Sequence, residues 1–212
     1  MLVRATENIS YHASVMSPTP EPTPSDFITI VSGLPRSGTS LMMQMVTAGG
    51  IPAVTDSARA ADESNPRGYF ELEAVKRLRS DQTWLDQARG RAVKIIHLLL
   101  RELPVDGRFE YRVLFMLRPI AEVLASQRAM LARQGKQAAS ASLAGVYESQ
   151  VAQAQEWMRT HPCFSFLTFE HHRVLQQPEE SAAAIAEFLQ CDLDVKAMAA
   201  AVDQSLWRER QN

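Results

Sequence analysis

The feature that most constrains the fold is a glycine-containing stretch between a strand-like and a helix-like segment. Residues 27–32, FITIVS, form an apolar, β-branched run that is typical of a buried strand. The run leads into GLPRSGTS at 33–40, and helix formers continue from 39 until a pair of glycines. This order predicts a strand, a tight anion-binding loop and a helix whose amino terminus faces the loop.

Apolar runs alternate with helical patterns along the rest of the chain. The patterns predict further strands and helices, namely strands at 92–100, 111–117 and 163–170 and helices at 73–88, 119–134, 142–160 and 178–190. This alternation favours an α/β fold of three layers, with a central parallel sheet between helices. The 212 residues suit one domain over 26–212, after a proline-rich tail over 1–25 that we expect to be disordered.

Composition excludes several classes of partner and site. The chain carries 22 basic and 24 acidic residues, and this near balance offers no footprint for nucleic acid or an anionic membrane. No apolar run approaches the roughly 18 residues of a membrane span. The two cysteines lack metal-type spacing, and the histidines that stand outside the apolar runs form no metal-binding set. We therefore expect a cytoplasmic protein without a membrane segment or a metal site.

The loop departs from the nucleotide-binding P-loop at one position. GLPRSGTS matches the pattern GxxxxGK followed by Ser or Thr, except that Thr39 replaces the lysine that reaches the β and γ phosphates. The strand at 111–117 carries no acidic residue for a magnesium ion and is followed by Arg118. A cation there attracts a second anion, so these residues predict a ligand with two separate anionic groups and no Mg²⁺.

Several side chains could complete such a site. Arg36 lies inside the loop and offers a planar, charged fork suited to oxyanions, while Thr39 and Ser40 add hydroxyl donors. Ser126 follows Arg118 by eight residues, two turns into the predicted helix at 119–134, and could share an anion with Arg118.

These residues resemble two motifs of the sulfotransferases that use 3′-phosphoadenosine 5′-phosphosulfate (PAPS). PRSGTS at 35–40 is similar to the family's 5′-phosphosulfate loop, and Arg118 with Ser126 is similar to its 3′-phosphate motif. The segments at 65–78 and 166–190 also resemble family sequences. The resemblance implies a P-loop NTPase-like sulfotransferase fold. It also implies a phosphosulfate site formed by Pro35, Arg36, Ser37, Gly38, Thr39 and Ser40, and a 3′-phosphate site formed by Arg118 and Ser126.

The same resemblance implies a metal-independent, in-line transfer of a sulfuryl group from PAPS to a hydroxyl or amine, with 3′,5′-bisphosphoadenosine (PAP) as product. Arg36 would stabilise charge on the departing phosphate, and Lys94 could assist it. Glu71 and His97 are candidates for the general base. Secondary candidates for the base or for ligand contacts are Asp56, Arg67, Glu73, Arg208 and Arg210.

Two other functions stay open from the residues alone. A Mg²⁺-dependent P-loop kinase of small molecules would share the strand, loop and helix, although Thr39 and Arg118 oppose it. A non-catalytic relative could bind the nucleotide without transfer. The acceptor, a small molecule or a carbohydrate, and the oligomeric state are not determined by these patterns.

Overall fold

The computed structural model describes residues 26–56, 68–133, 135 and 143–203. The described part contains four strands and six α-helices, together with three 3-10 helices at Glu73–Arg77, Thr83–Ala88 and His97–Glu102. The strands are β1 (Ile28–Gly33), β2 (Ala92–Lys94), β3 (Tyr111–Leu117) and β4 (Phe164–Glu170). The helices are α1 (Thr39–Ala48), α2 (Ile120–Arg133), α3 (Leu143–Thr160), α4 (His171–Gln176), α5 (Pro178–Leu189) and α6 (Val195–Ala200).

The four strands form one parallel sheet, as the sequence predicted, and their order in it is β2-β1-β3-β4. In this sheet Gly33 pairs with Met116, and Leu117 pairs with Glu170. Because parallel strands end at the same edge, the loop after β1, Arg118 after β3 and the start of α4 after β4 all lie along one edge. Strand order thus brings together segments that are far apart in the chain.

Each face of the sheet packs against its own helical layer. Side chains alternate along β3, so that Tyr111, Val113 and Phe115 join one core cluster while Leu114 and Met116 join another. The first cluster includes α3 and the 3-10 helices, and the second includes α1, α5 and α6. The prediction of three layers is therefore confirmed.

The methionines of α1 are core residues. Met42, Met43 and Met45 have no exposed surface and pack in the second cluster. No helix in the described part of the chain is long and apolar enough to cross a membrane.

The prediction of a strand over 92–100 was wrong in extent. Strand β2 ends at Lys94, and a 3-10 helix occupies His97–Glu102. Leu100 and Leu103 are buried at helical spacing, whereas Leu98 is 41% exposed. A short apolar run fits a buried helical turn as well as it fits a strand, and packing against the first core cluster decides between them.

The single helix predicted over 73–88 is two 3-10 helices. The break falls at Ser80 and Asp81, whose amides both donate to the Arg77 carbonyl at 2.8 Å. The Asp81 carboxylate then accepts the Thr83 amide at 3.1 Å and the Thr83 hydroxyl at 2.7 Å. Short polar side chains compete with helical hydrogen bonds in this way, and they start a new turn here.

Candidate functional site

The loop at 33–40 depends on two glycines in conformations that other residues rarely adopt. Gly33 has φ +145° and Gly38 has φ +101°. A Cβ atom on Gly33 would lie 2.5 Å from Ser37 Oγ and 2.6 Å from the Met116 carbonyl oxygen. A Cβ atom on Gly38 would lie 2.5 Å from His171 Cδ2. The loop therefore packs tightly on β3 and on the start of α4.

The loop presents the amino terminus of α1 to the carboxyl edge of the sheet. Helix α1 begins at Thr39 directly after Gly38, and the first intrahelical bond in this turn runs from the Met42 amide to the Gly38 carbonyl at 3.1 Å. The N-cap residue, Gly38, has no side chain with which to cap the helix, and the first turn of α1 contains no acidic residue. Its first amides and the positive end of the helix dipole are thus suited to an anion.

Arg36 joins the two sequence motifs. Its Nε donates to Ser126 Oγ of α2 at 3.1 Å, a contact between residues 90 positions apart. Arg118 Nη1 donates to the Arg36 carbonyl at 3.3 Å. Arg36 also has φ 74°, and a positive φ outside glycine is a strained conformation that is often found at functional sites. The loop, the end of β3 and α2 therefore meet at one point.

Arg118 also forms a buried ion pair. Its Nε donates to Glu122 Oε2 at 2.8 Å, and the two side chains are only 8% and 9% exposed. Glu122 lies one helical turn after Arg118. Two fixed acceptors, the Glu122 carboxylate and the Arg36 carbonyl, thus hold the Arg118 guanidinium in one orientation at the edge of the sheet.

Lys94 and Glu71 belong to a neighbouring part of the edge. Lys94, the last residue of β2, donates from Nζ to the Tyr69 carbonyl, and its ammonium lies 5.8 Å from the centroid of the Tyr69 ring. The Glu71 carbonyl accepts the Thr55 hydroxyl at 2.8 Å and the Asp56 amide at 3.4 Å. These contacts hold the segment that carries Glu71 against β2 and the residues after α1.

The secondary candidates on this segment have structural partners. Asp56 Oδ2 accepts the Glu73 amide at 2.6 Å at the start of a 3-10 helix. Glu73 forms an exposed ion pair with Lys76 at 2.7 Å. Arg67, Arg208 and Arg210 lie outside the described residues, as does the tail at 1–25.

His97 is buried beside the loop, with 3% of its surface exposed. Its Nδ1 lies 3.2 Å from the Gly33 carbonyl oxygen, and its Nε2 lies 3.0 Å from Gln150 Oε1 of α3. A neutral imidazole that donates from Nδ1 to Gly33 accepts at Nε2, which requires the Gln150 amide to turn its NH₂ group toward the ring. His97 thus connects the loop to α3.

His171 is a neighbour of the loop that the sequence reasoning did not assign to the site. It is the first residue of α4, is 8% exposed, and contacts Gly38 through the geometry described above. Burial, with smaller contributions from Arg118 and His172, lowers the pKa of His171 from 6.5 to about 3. The imidazole is therefore neutral at physiological pH.

The sequence reasoning also did not assign two residues that contact this site, Glu122 and Gln150. Glu122 could have been recognised, because it follows Arg118 by four residues on a predicted helix and so lies on the same face. Gln150 carries no comparable signal, since a glutamine in an amphipathic helix is ordinarily exposed. His171 could also have been found, because it directly follows a predicted strand and so lies at the carboxyl edge of the sheet.

Two cavities adjoin these residues. One, of about 260 Å³, lies between α2 and α3 and is bounded by Pro35 and Arg36. The other, of about 450 Å³, lies along the second half of α3 and is bounded by His97 and Trp157. In the described ranges no three His, Cys, Asp or Glu side chains lie close enough together to hold a metal ion.

A parallel sheet with a glycine loop feeding a helix amino terminus, and arginines at the same edge, defines an α/β fold of the P-loop type. The model of the sulfotransferase domain matches residues 26–211. The chain belongs to the sulfotransferase family. A search of curated protein sequences gives no significant match.

Three solved structures share the fold. The sulfotransferase domain of the olefin synthase of Synechococcus PCC 7002 is 13% identical, with a TM-score of 0.51 over 87% of this chain and 80% of that one. The domain from the curacin biosynthetic pathway is 12% identical, with a TM-score of 0.50 over 87% and 90%. Mouse sulfotransferase SULT7A1, complexed with PAP, is 17% identical, with a TM-score of 0.51 over 84% and 63%.

Proposed function

We propose that this protein transfers a sulfuryl group from PAPS to a hydroxyl-bearing small molecule. The observation that carries the proposal is the junction at Arg36, whose side chain contacts Ser126 while its carbonyl accepts Arg118. Residues that the family resemblance assigns to the two ends of one nucleotide thus lie within one hydrogen-bonded group. Membership of the sulfotransferase family supports the same reaction.

The arrangement fits the nucleotide by its chemistry. The glycine cradle and the uncapped start of α1, together with Arg36, Thr39 and Ser40, would hold the 5′-phosphosulfate. Arg118 and Ser126 would hold the 3′-phosphate. These donors are main-chain amides, hydroxyls and guanidinium groups, all of which suit oxyanions.

Bound PAPS would supply the sulfuryl group. The bond between its sulfur and the oxygen of the 5′-phosphate would break, and the electron pair would stay on that phosphate. The acceptor oxygen would bond to sulfur and lose its proton to a base. The task of the protein is to stabilise the charge that grows on the phosphate. Arg36 and the loop amides do so from fixed positions, and each such donor is worth roughly 3 to 4 kcal/mol. Lys94 would assist from the end of β2. We propose that the transfer needs no metal ion, because the Glu122 carboxylate near the site is already matched by Arg118.

The geometry favours Glu71 over His97 as the general base. Both ring nitrogens of His97 lie within hydrogen-bond distance of fixed partners, and the ring is buried. His97 would then position the loop by holding Gly33, whereas Glu71 is only partly buried, so we assign the general base to Glu71. Substitution Glu71→Gln should lower kcat at least 100-fold with little change in PAP affinity. Substitution His97→Gln should mainly weaken PAP binding, and the reverse pattern would exchange the two roles.

Ligand-dependent stability tests the nucleotide assignment. PAP should raise the melting temperature more than AMP does, and ATP with Mg²⁺ should have little effect, because only ligands of the native state stabilise it. Transfer of labelled sulfate from PAPS to a panel of alcohols then tests the reaction. Stabilisation by ATP that requires Mg²⁺, without a response to PAP, would replace the proposal with a small-molecule kinase. PAP binding without transfer to any acceptor would indicate a non-catalytic relative.

We also propose a cytoplasmic location and no nucleic-acid partner. Both Cys163 and Cys191 are free thiols, which suits a reducing compartment. The formal net charge of −2 supports a small-molecule partner over nucleic acid.

A further inference from the structure

The buried imidazole of His97 is held from both sides, and one of its two partners lies on α3. Its Nδ1 is 3.2 Å from the Gly33 carbonyl oxygen, and its Nε2 is 3.0 Å from Gln150 Oε1. These partners are 64 and 53 positions away in the chain. The orientation of the ring is therefore decided by the end of β1 and the middle of α3 together.

The Gly33 carbonyl belongs to the first peptide of the loop at 33–40. Gly33 has φ +145°, and a Cβ atom there would lie 2.5 Å from Ser37 Oγ. The Ser37 amide donates to the Leu34 carbonyl at 3.1 Å, so the loop folds back on its own start. Because a peptide unit is planar, a bond that fixes the Gly33 carbonyl also fixes the direction in which the loop leaves β1.

Gln150 is a polar residue on the core-facing side of α3. Ala154 and Met158 are the two buried residues of this helix, and the half-buried Gln150 precedes Ala154 by one turn on the same face. An apolar side chain at this position would pack without the cost of removing an amide from water. Such departures from the local pattern concentrate at functional sites.

Helix α3 is a firm support for this contact. Ala154 and Met158 belong to the first core cluster, and the Tyr147 hydroxyl donates to Gln127 Oε1 of α2 at 3.0 Å. Gln150 lies between these two attachments of the helix. Its amide is therefore held in place independently of the ring that it contacts.

The Gln150 amide also decides which ring nitrogen carries the proton. With its NH₂ group turned toward Nε2, the amide donates to that nitrogen, and the proton of the neutral ring then lies on Nδ1, from which it is donated to Gly33. Leucine would give Nε2 no partner. Glutamate can only accept, which favours the proton on Nε2 and removes the donor from Gly33.

From these contacts we propose that Gln150 is a positioning residue for the sulfuryl transfer, which acts through His97 to hold the Gly33 carbonyl and with it the loop that binds the 5′ end of the nucleotide. The effect on PAPS rests on the proposed function. It should be confined to the 5′ end, because the 3′-phosphate is assigned to Arg118 and Ser126.

Two nucleotides separate positioning of the loop from a general loss of structure. PAP carries both phosphates, whereas adenosine 3′-phosphate lacks the one at the 5′ end. Gln150→Leu and Gln150→Glu should weaken PAP about fivefold by calorimetric titration and raise the KM for PAPS by a similar factor. The dissociation constant of adenosine 3′-phosphate should not change appreciably. Equal weakening of both nucleotides, or unchanged PAP affinity, would overturn the proposal.

Gln153→Leu is the matched control. Gln153 is exposed, lies one turn further along α3 and donates to Ser149 of its own helix at 3.0 Å. Its replacement should leave the affinity for both nucleotides as in the wild type.

A double-mutant cycle tests the route through His97. His97→Asn keeps an amide donor near the position of Nδ1 and has no atom at that of Nε2. In this background Gln150→Leu should have no further effect on PAP affinity, because the two substitutions interrupt the same chain of contacts. A loss of the same size in both backgrounds would show that Gln150 does not act through His97, against the proposal.

Hydrogen exchange in the free protein distinguishes failure of this inference from failure of the proposed function. The amides of the loop at 33–40 should exchange faster in Gln150→Leu than in the wild type or in Gln153→Leu. If the wild type does not bind PAP, the proposed function is wrong, and the exchange rates still decide whether Gln150 positions the loop. Loop exchange that is unchanged in Gln150→Leu would refute the inference.

Discussion

Replacing Arg118 should affect folding and nucleotide recognition by separate mechanisms. The Arg118 and Glu122 side chains are 8% and 9% exposed and form a hydrogen bond of 2.8 Å. Removing one partner of a buried ion pair leaves the other charge uncompensated, which costs about 3 to 5 kcal/mol of folding free energy. The variant Arg118→Ala should lose this amount of stability. It should also lose a charge-assisted contact to the 3′-phosphate, worth about 1.5 to 3 kcal/mol or roughly 10- to 150-fold in affinity.

A double variant separates the two effects. Replacing a buried ion pair by apolar side chains of similar volume is often neutral for stability. Arg118→Met with Glu122→Leu should therefore recover most of the folding free energy and still bind PAP poorly. Urea denaturation gives the stabilities, and calorimetric titration with PAP and AMP gives the preference for the 3′-phosphate. The preference should fall in both variants.

Arg108→Ala is a suitable control, since Arg108 is 59% exposed and pairs with Asp106 away from the sheet edge that carries the loop. That substitution should change neither the stability nor the nucleotide preference appreciably. If the double variant kept the wild-type ratio of PAP to AMP affinity, Arg118 would not contact the 3′-phosphate. If Arg118→Ala were as stable as the wild type, the buried pair would not contribute as argued.

Three further outcomes follow from the site. Arg36→Ala should lower kcat by roughly 100- to 1,000-fold, more than it lowers PAP affinity, and unchanged turnover would remove Arg36 from the chemistry. Gly38→Ala should cost about 1 to 3 kcal/mol more than Gly107→Ala by urea denaturation, because both glycines have positive φ but only at Gly38 would the added Cβ lie 2.5 Å from another atom, His171 Cδ2. The pKa of His171 is about 3 in the folded protein, against 6.5 for an ordinary histidine. As the pH falls from 6.5 to 3, this histidine therefore binds a proton in the unfolded chain but not in the folded one, and the free energy of unfolding decreases. At pH 5 the loss is about 2 kcal/mol, and His171→Gln should remove it from the pH dependence of unfolding while His172→Gln should not.

The local sequence pattern was sufficient to predict the strands that consist of one short, continuous apolar run. Strand β1 is completely buried and β3 is buried at five of its seven residues, as a continuous apolar run predicts. Strand β4 was predicted from its aromatic residues, although only Phe164 and Phe169 in it are buried. The loop was equally predictable, because Gly33 and Gly38 occupy two of its three positions of positive φ. Prediction failed at 92–100 and at 73–88, where apolar spacing is compatible with more than one backbone and the surrounding core selects the 3-10 form.

The candidate site divides in the same way. By itself the sequence determined the glycine loop between β1 and α1 and placed an arginine at the end of β3 and a serine on the next helix, because each depends on a pattern within a few residues. Only the tertiary structure decided that Arg36 reaches Ser126, that Glu122 occupies one side of Arg118, and that His97 and His171 lie against the loop. Contacts between residues as many as 133 positions apart, as between Gly38 and His171, depend on strand order and helix packing, which local sequence does not specify.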